Sequence, residues 1–227
     1  MSKRWGMVAG ALLLLCAAPP MVLAATESMV TLTLGGERPS GTFAEVAQSG
    51  TLAGLSVGYR TTPWLEAGLD LGYFRSAGKR DGWARDYMDP STPTVYHFAL
   101  AEHWSVTELG LYGRAFVHEG GRLSTYLHAG VATYAVRFSS ELTVSVSSSA
   151  LVIGGNEQEY RPGCSGGAGV RYRVVGGTHL GVEVLYHQIF GKAGKDSYGN
   201  RNNSSLGYLT VGATLGFGPG GKGRSER

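Results

Sequence analysis

Residues 65–73 read Leu65-Glu66-Ala67-Gly68-Leu69-Asp70-Leu71-Gly72-Tyr73, a strict alternation with Leu65, Ala67, Leu69, Leu71 and Tyr73 on one side. Glu66, Gly68, Asp70 and Gly72 occupy the other side. Period two marks an extended strand whose two faces meet different surroundings. Both carboxylates fall on the face that carries the glycines, and the opposite face is apolar without interruption.

The same alternation recurs along the chain and marks eight segments, roughly 28–36, 50–60, 64–75, 103–116, 122–137, 165–175, 178–189 and 206–217. Each is near or above the ~9–11 residues with which a tilted strand crosses a bilayer. The apolar parity contains Val30, Leu32, Leu34, Leu55, Val57, Leu109, Leu111, Leu127, Val131, Val170, Val182, Val184, Val211 and Leu215, with no Asp, Glu, Lys or Arg. The opposite parity holds Arg60, Glu66, Asp70, Glu108, Arg114, Arg171, Arg173 and Glu183, together with His128, His179 and many glycines. Strands carrying two charges, Glu66 with Asp70 and Arg171 with Arg173, test this division and obey it.

Connections alternate in length. Thr61-Thr62-Pro63, the stretch from Val117 to Gly121 and Gly176-Gly177 are short, whereas 37–49, 76–102, 138–164 and 190–205 are long. An up-and-down meander collects short turns at one end and long loops at the other, with both termini at the turn end. Tyr59, Tyr172 and Phe217 fall near the turn end, joined by Trp64, and Tyr73 and Tyr186 fall near the loop end, as two interfacial aromatic girdles require. A soluble lipocalin-type barrel also alternates, but its outer face needs many lysines and glutamates. The polar face here is too glycine-rich for that, and suits the narrow interior of an eight-stranded barrel. The prediction is an all-β, eight-stranded antiparallel up-and-down transmembrane β-barrel over residues 25–217. Its four interior acids and four arginines should form a salt-bridge network, because charges inside are costly unless matched.

Composition agrees. Hydrophobic residues make up 43% of the 227, charged residues 16%, and 36 are glycine, a share more than twice the usual value of about 7%. That excludes charge-driven disorder and disfavours a helical bundle. A formal charge of +3, with no basic stripe, argues against nucleic acid as a partner. Lys3, Arg4, the apolar run Met7 to Ala18 and the exit Val22-Leu23-Ala24 predict a cleaved signal peptide over residues 1–24. Cys164 would then be the lone thiol of the mature chain, in a setting that suggests no catalysis.

The last segment reads Thr210-Val211-Gly212-Ala213-Thr214-Leu215-Gly216-Phe217, which resembles the carboxy-terminal β-signal of outer-membrane proteins. With the strand layout, the mature chain resembles the small outer-membrane β-barrel families, among them the outer-membrane protein A transmembrane domain and its short relatives. The resemblance implies location in a bacterial outer membrane and insertion by the barrel assembly machinery, with Gly212, Leu215 and Phe217 as recognition positions. Members usually end at the aromatic residue; here residues 218–227 follow, expected as a disordered periplasmic tail.

Some such barrels act on lipid A. The deacylase type places a serine two residues from a histidine near its seventh strand, but His187-Gln188-Ile189 carries isoleucine there, so the histidine has no hydroxyl to activate. No metal-ligand spacing is present, and neither a cofactor nor catalysis is expected. Loop 76–102 offers Arg80, Trp83, Arg85 and Tyr87, a mixture suited to stacking and charged contacts; a solvated loop ordered by lipopolysaccharide is the alternative. Alternation in Leu142-Thr143-Val144-Ser145-Val146 suggests a strand extension above the membrane. The expected role is structural, adhesive or surface-binding through the long loops, against an unidentified extracellular ligand. A narrow passage for small or apolar solutes is the alternative, and a lipid A-modifying enzyme ranks behind it.

Overall fold

The computed structural model describes residues 28–92, 94–146, 149–191, 194–195, 201–202 and 205–218. The expected signal peptide and all of the expected tail beyond Gly218 lie outside the described residues.

In chain order the strands are β1 (Ser28–Ser40), β2 (Gly50–Thr62), β3 (Leu65–Ala77), β4 (Trp83–Met88), β5 (Val95–Gly120), β6 (Leu123–Val146), β7 (Ser149–Arg173) and β8 (Thr178–Ile189). Then follow the short β9 (Gly194–Lys195) and β10 (Arg201–Asn202), which pair with each other, and β11 (Leu206–Phe217). One helical turn, α1 (Phe43–Val46), lies between β1 and β2. All pairings are antiparallel. The ring runs β1-β2-β3-β5-β6-β7-β8-β11 and closes through β11 onto β1, so the eight predicted segments are the eight strands of a closed barrel.

Following one ladder around the ring gives Val30, Val57, Leu69, Leu111, Val131, Cys164, Gln188, Gly207 and finally Ser40. The ladder climbs β1 from Val30 to Ser40 in one circuit, the stagger of a tilted, closed sheet. Alternation settles the faces as predicted. Leu32, Leu71, Leu111, Val131 and Val182 point outward and are exposed, whereas Thr31, Ser56, Glu66, Tyr112 and Arg114 point inward and are buried.

Two expected loops are more ordered than expected, and the strand extension expected over residues 142–146 is present as the end of β6. Segments 76–102 and 138–164 are largely strand: β4 pairs with the start of β5, and β6 and β7 continue as a hairpin to Val146 and Ser149. β5, β6 and β7 thus rise well past the rim set by β1, β2, β8 and β11. With β4 standing where β3 stops, they form a four-stranded wall at the loop end. β8 begins to pair with β7 only at Gly163, so among the described residues no strand pairs with β7 from Ser149 to Arg161 on that side.

The wall carries the inward parity upward without a bulge between Val95 and Phe116, and the chemistry of that parity changes. Along β5 the inward positions run Arg114, Tyr112, Gly110, Glu108, Val106, Trp104 and Glu102, then Leu100, Phe98 and Tyr96. The outward positions change from Leu111 and Leu109 to Thr107, Ser105, His103 and His97. Within the bilayer the outside must be apolar; beyond it water imposes the reverse.

Candidate functional site

Two regions hold the chemistry-bearing residues: the barrel lumen and the wall. In the lower lumen, Glu66 on β3 lies between two arginines. Arg114 Nη1 donates to its Oε1 at 3.0 Å, and Arg171 Nη1 donates to its Oε2 at 2.8 Å. Tyr112 Oη donates to the same Oε1 at 2.8 Å. Arg114 also reaches Glu183 Oε2 at 3.2 Å, which accepts from Tyr126 Oη at 3.0 Å. Arg114 is 0% exposed and Glu66 2%, so every charge here depends on its partners. Glycine makes this layer possible: a Cβ at Gly58 would strike Tyr112 Oη and Glu66, and one at Gly169 would strike the Tyr126 ring.

These ion pairs join two of the expected acids, Glu66 and Glu183, to two of the expected arginines, Arg114 and Arg171. Arg60 stacks at 4.2 Å over Phe116, and Arg173 lies exposed near the β7–β8 turn. Asp70 and Glu108 sit higher, where the nearest bases are histidines: Asp70 Oδ2 is 3.8 Å from His128 Nε2, and Glu108 Oε2 is 3.4 Å from His187 Nδ1. Register decides which interior residues meet, and counting signs along the sequence does not reveal it.

This middle layer brings a serine, a histidine and an aspartate together, since Ser165 Oγ lies 3.5 Å from His128 Nε2. The sequence reading missed it because the three residues come from β7, β6 and β3. It is not a relay. Ser165 and Asp70 both face Nε2 while Nδ1 has no partner, whereas a nucleophilic triad places its hydroxyl and carboxylate on opposite ring nitrogens. His187 is likewise enclosed, between Tyr134 Oη at 3.3 Å and Thr210 Oγ1 at 3.3 Å, with Ile189 fully buried above it. A cavity of about 40 Å³ bordered by Ser56, Asp70, Glu108, Ser165, His187 and Thr210 has room for roughly three waters. Among the described residues no group of three His, Cys, Asp or Glu side chains could hold a metal ion.

Above this layer the lumen is closed by apolar side chains. Phe43 and Ala47, on and just after α1, turn into the mouth and pack with Leu52, Phe74, Val106, Tyr134, Val136, Ile189, Leu206 and Tyr208. Phe43 meets Trp104 edge-on at 5.3 Å, and Trp104 meets Phe138 at 4.6 Å. No periodicity in 37–49 announces this plug, because a single helical turn leaves none.

On the wall, three of the four anticipated contact residues, Trp83, Arg85 and Tyr87, share one face. Register places Trp83 beside Leu100, Leu142 and Ile153; Arg85 beside Phe98, Val144 and Leu151; and Tyr87 beside Tyr96 and Val146. Arg80 stands in the turn that leads into β4. Trp83, Tyr87, Leu151 and Ile153 are 46%, 55%, 61% and 55% exposed. The reverse face is mixed: Asp86 pairs with His97 beside Ser145, and Thr143 stands between Ala99 and the exposed Val152. At the wall's tip Asp89 accepts from Ser91 Oγ and Ser91 N at 2.6 and 2.8 Å, and these bonds hold its carboxyl below the ordinary aspartate range. On β11, Leu215 and Phe217 face outward and Gly212 inward against Thr33.

Residues 8–217 match the family model described as the outer membrane protein beta-barrel domain. The chain belongs to that family. It is thus a bacterial outer-membrane protein, and its apolar outer band faces lipid. Solved structures of similar fold include Neisserial surface protein A, 13% identical, covering 85% of this chain and 96% of that one, with a TM-score of 0.46. The N-terminal β-barrel domain of Pseudomonas aeruginosa OprF is 18% identical over 85% of this chain and 100% of that one, TM-score 0.41. Ail, the attachment invasion locus protein of Yersinia pestis, is 11% identical over 85% and 99%, TM-score 0.43. No curated protein matches the sequence.

Proposed function

We propose that this barrel is a surface-binding, adhesive protein of the outer membrane, with its termini periplasmic, its wall outside the cell, and no enzymatic activity or cofactor. The observation that carries the reading is the inner face of the wall. A contiguous apolar and aromatic array stands above the bilayer on a sheet whose other face mixes polar residues with alanines, and such a patch marks a contact surface. Arg85 within it adds a charged anchor, and aromatic residues with arginine are the usual centres of binding energy. The barrel itself serves as the rigid base, folded by the barrel assembly machinery and surrounded by lipopolysaccharide in the outer leaflet.

The test is surface display in a non-adherent laboratory strain, measuring retention on immobilised extracellular-matrix proteins and on epithelial cells. Retention should rise with the native chain and return to the empty-vector level with Phe98→Asp combined with Leu151→Asp, at equal surface amounts. Native retention equal to empty vector overturns the reading. A solute passage has less support, since the Arg114 layer and the Phe43 plug both stand in the path.

A further inference from the structure

The outer face changes character where the apolar band ends at the loop side. One cross-strand row on β3, β5, β6 and β7 reads Tyr73, Thr107, Ala135 and Tyr160. The next outward row towards the loops reads Arg75, Ser105, Arg137 and Gln158. Gln158 Nε2 donates to Tyr160 Oη at 3.0 Å, which fixes both on the lipid-facing side. On β1 the same outward parity runs from Leu34 past Gly36 to Arg38.

Arg38, Arg75 and Arg137 are exposed, and among the described residues none makes an ion pair. Acids nearby are turned away: Glu37 is buried inside, and Glu157 and Glu159 take the inner parity of β7. The first outward acid on β6 is Glu141, two outward positions beyond Arg137. Arg75 and Arg137 are two strands apart in one ladder, so their backbones are separated by about 10 Å.

Three guanidinium groups therefore stand just beyond interfacial tyrosines, on the lipid side, with no ion-pair partner among the described residues. Tyrosine marks the headgroup level, and the planar guanidinium fork matches phosphate oxygens in pairs. We propose that Arg38, Arg75 and Arg137, with the Ser105 hydroxyl between the last two, form a docking row for the phosphate groups of the phosphorylated glycolipid in the outer leaflet. The row rests on the orientation proposed above, which makes this end the outer leaflet. A phosphate bridging Arg75 and Arg137 would also tie the base of the wall to the membrane surface.

The test uses the full mature chain in phosphatidylcholine vesicles carrying bisphosphorylated lipid A, the same lipid A stripped of phosphate, or phosphatidylglycerol, with lipid retained by the purified protein as the readout. The native chain should enrich phosphorylated lipid A over the stripped form. Arg38→Gln/Arg75→Gln/Arg137→Gln should lose on the order of a hundredfold in that preference, at about one kcal/mol per surface arginine. Arg75→Lys and Arg137→Lys, which keep the charge, should retain most of it, and heat-shifted gel mobility confirms that each variant is folded. Equal retention of stripped lipid A, or no change in the triple variant, overturns the proposal. An equal arginine-dependent gain with phosphatidylglycerol overturns the glycolipid assignment. Labelling Thr143→Cys on intact cells with an impermeant maleimide reads the orientation separately: a row that binds while the wall is unlabelled refutes the orientation and leaves the phosphate chemistry standing.

Discussion

Glu66 and Arg114 are direct register partners across the β3–β5 ladder, and their side chains meet inside the barrel at 3.0 Å. Glu66 also holds Arg171, so one carboxylate fixes three strands. Removing it leaves two buried guanidinium groups short of a partner, which costs about 3–5 kcal/mol. Urea unfolding in detergent micelles should show Glu66→Gln losing more stability than Glu183→Gln, because Glu183 has one arginine hydrogen bond and one tyrosine hydrogen bond. Equal losses would mean that water replaces the carboxylate.

Val131 and Thr143 lie on the same face of β6, twelve residues apart. Val131, 62% exposed in the apolar band, should resist arginine: Val131→Arg is expected to impair insertion by roughly 2–4 kcal/mol, as near the bilayer midplane. Thr143→Arg lies on the outer face of the wall and should change stability by no more than about 0.5 kcal/mol. Folding yields into vesicles compare the two, and similar yields would contradict the membrane boundary drawn at Thr107 and Arg137.

Planar bilayers loaded with the native protein should carry no steady current. Phe43→Ala removes the ring that caps the mouth and should cost about 3 kcal/mol, yet it should remain non-conducting because the Arg114–Glu66 layer still fills the lumen below. Conductance in the single variant would show that the plug is the only barrier.

Overexpression should leave lipid A unaltered in mass spectra of outer-membrane extracts. His187 is buried between Tyr134 and Thr210, and the next inward residue on β8, Ile189, has no hydroxyl for it to activate. Any new lipid A species lost on His187→Ala would establish catalysis that this geometry does not account for.

Strand number, closure and lipid-facing residues were legible in the sequence because alternation in a bilayer has one sign: apolar outside. The wall was only partly legible for the same reason. In β5 the apolar positions are odd-numbered at Leu109 and Leu111 but even-numbered at Tyr96, Phe98 and Leu100, so an unbroken strand reads as two with a loop between. In β7, Gly154-Gly155 and Pro162 look like punctuation, yet the first two lie where no described strand pairs on the β8 side, and Pro162 at the rim where that pairing begins. The lumen layers were illegible because register, not spacing, decides that Glu108 meets His187 and not an arginine.

The wall and the barrel share β5, β6 and β7 without interruption. A pull on Leu151 from outside runs parallel to these strands, so their cross-strand bonds are loaded side by side and must yield together rather than open one after another. In the role proposed above, a partner held by the wall would load the barrel directly, because β5, β6 and β7 run through the rim without a break that could act as a hinge.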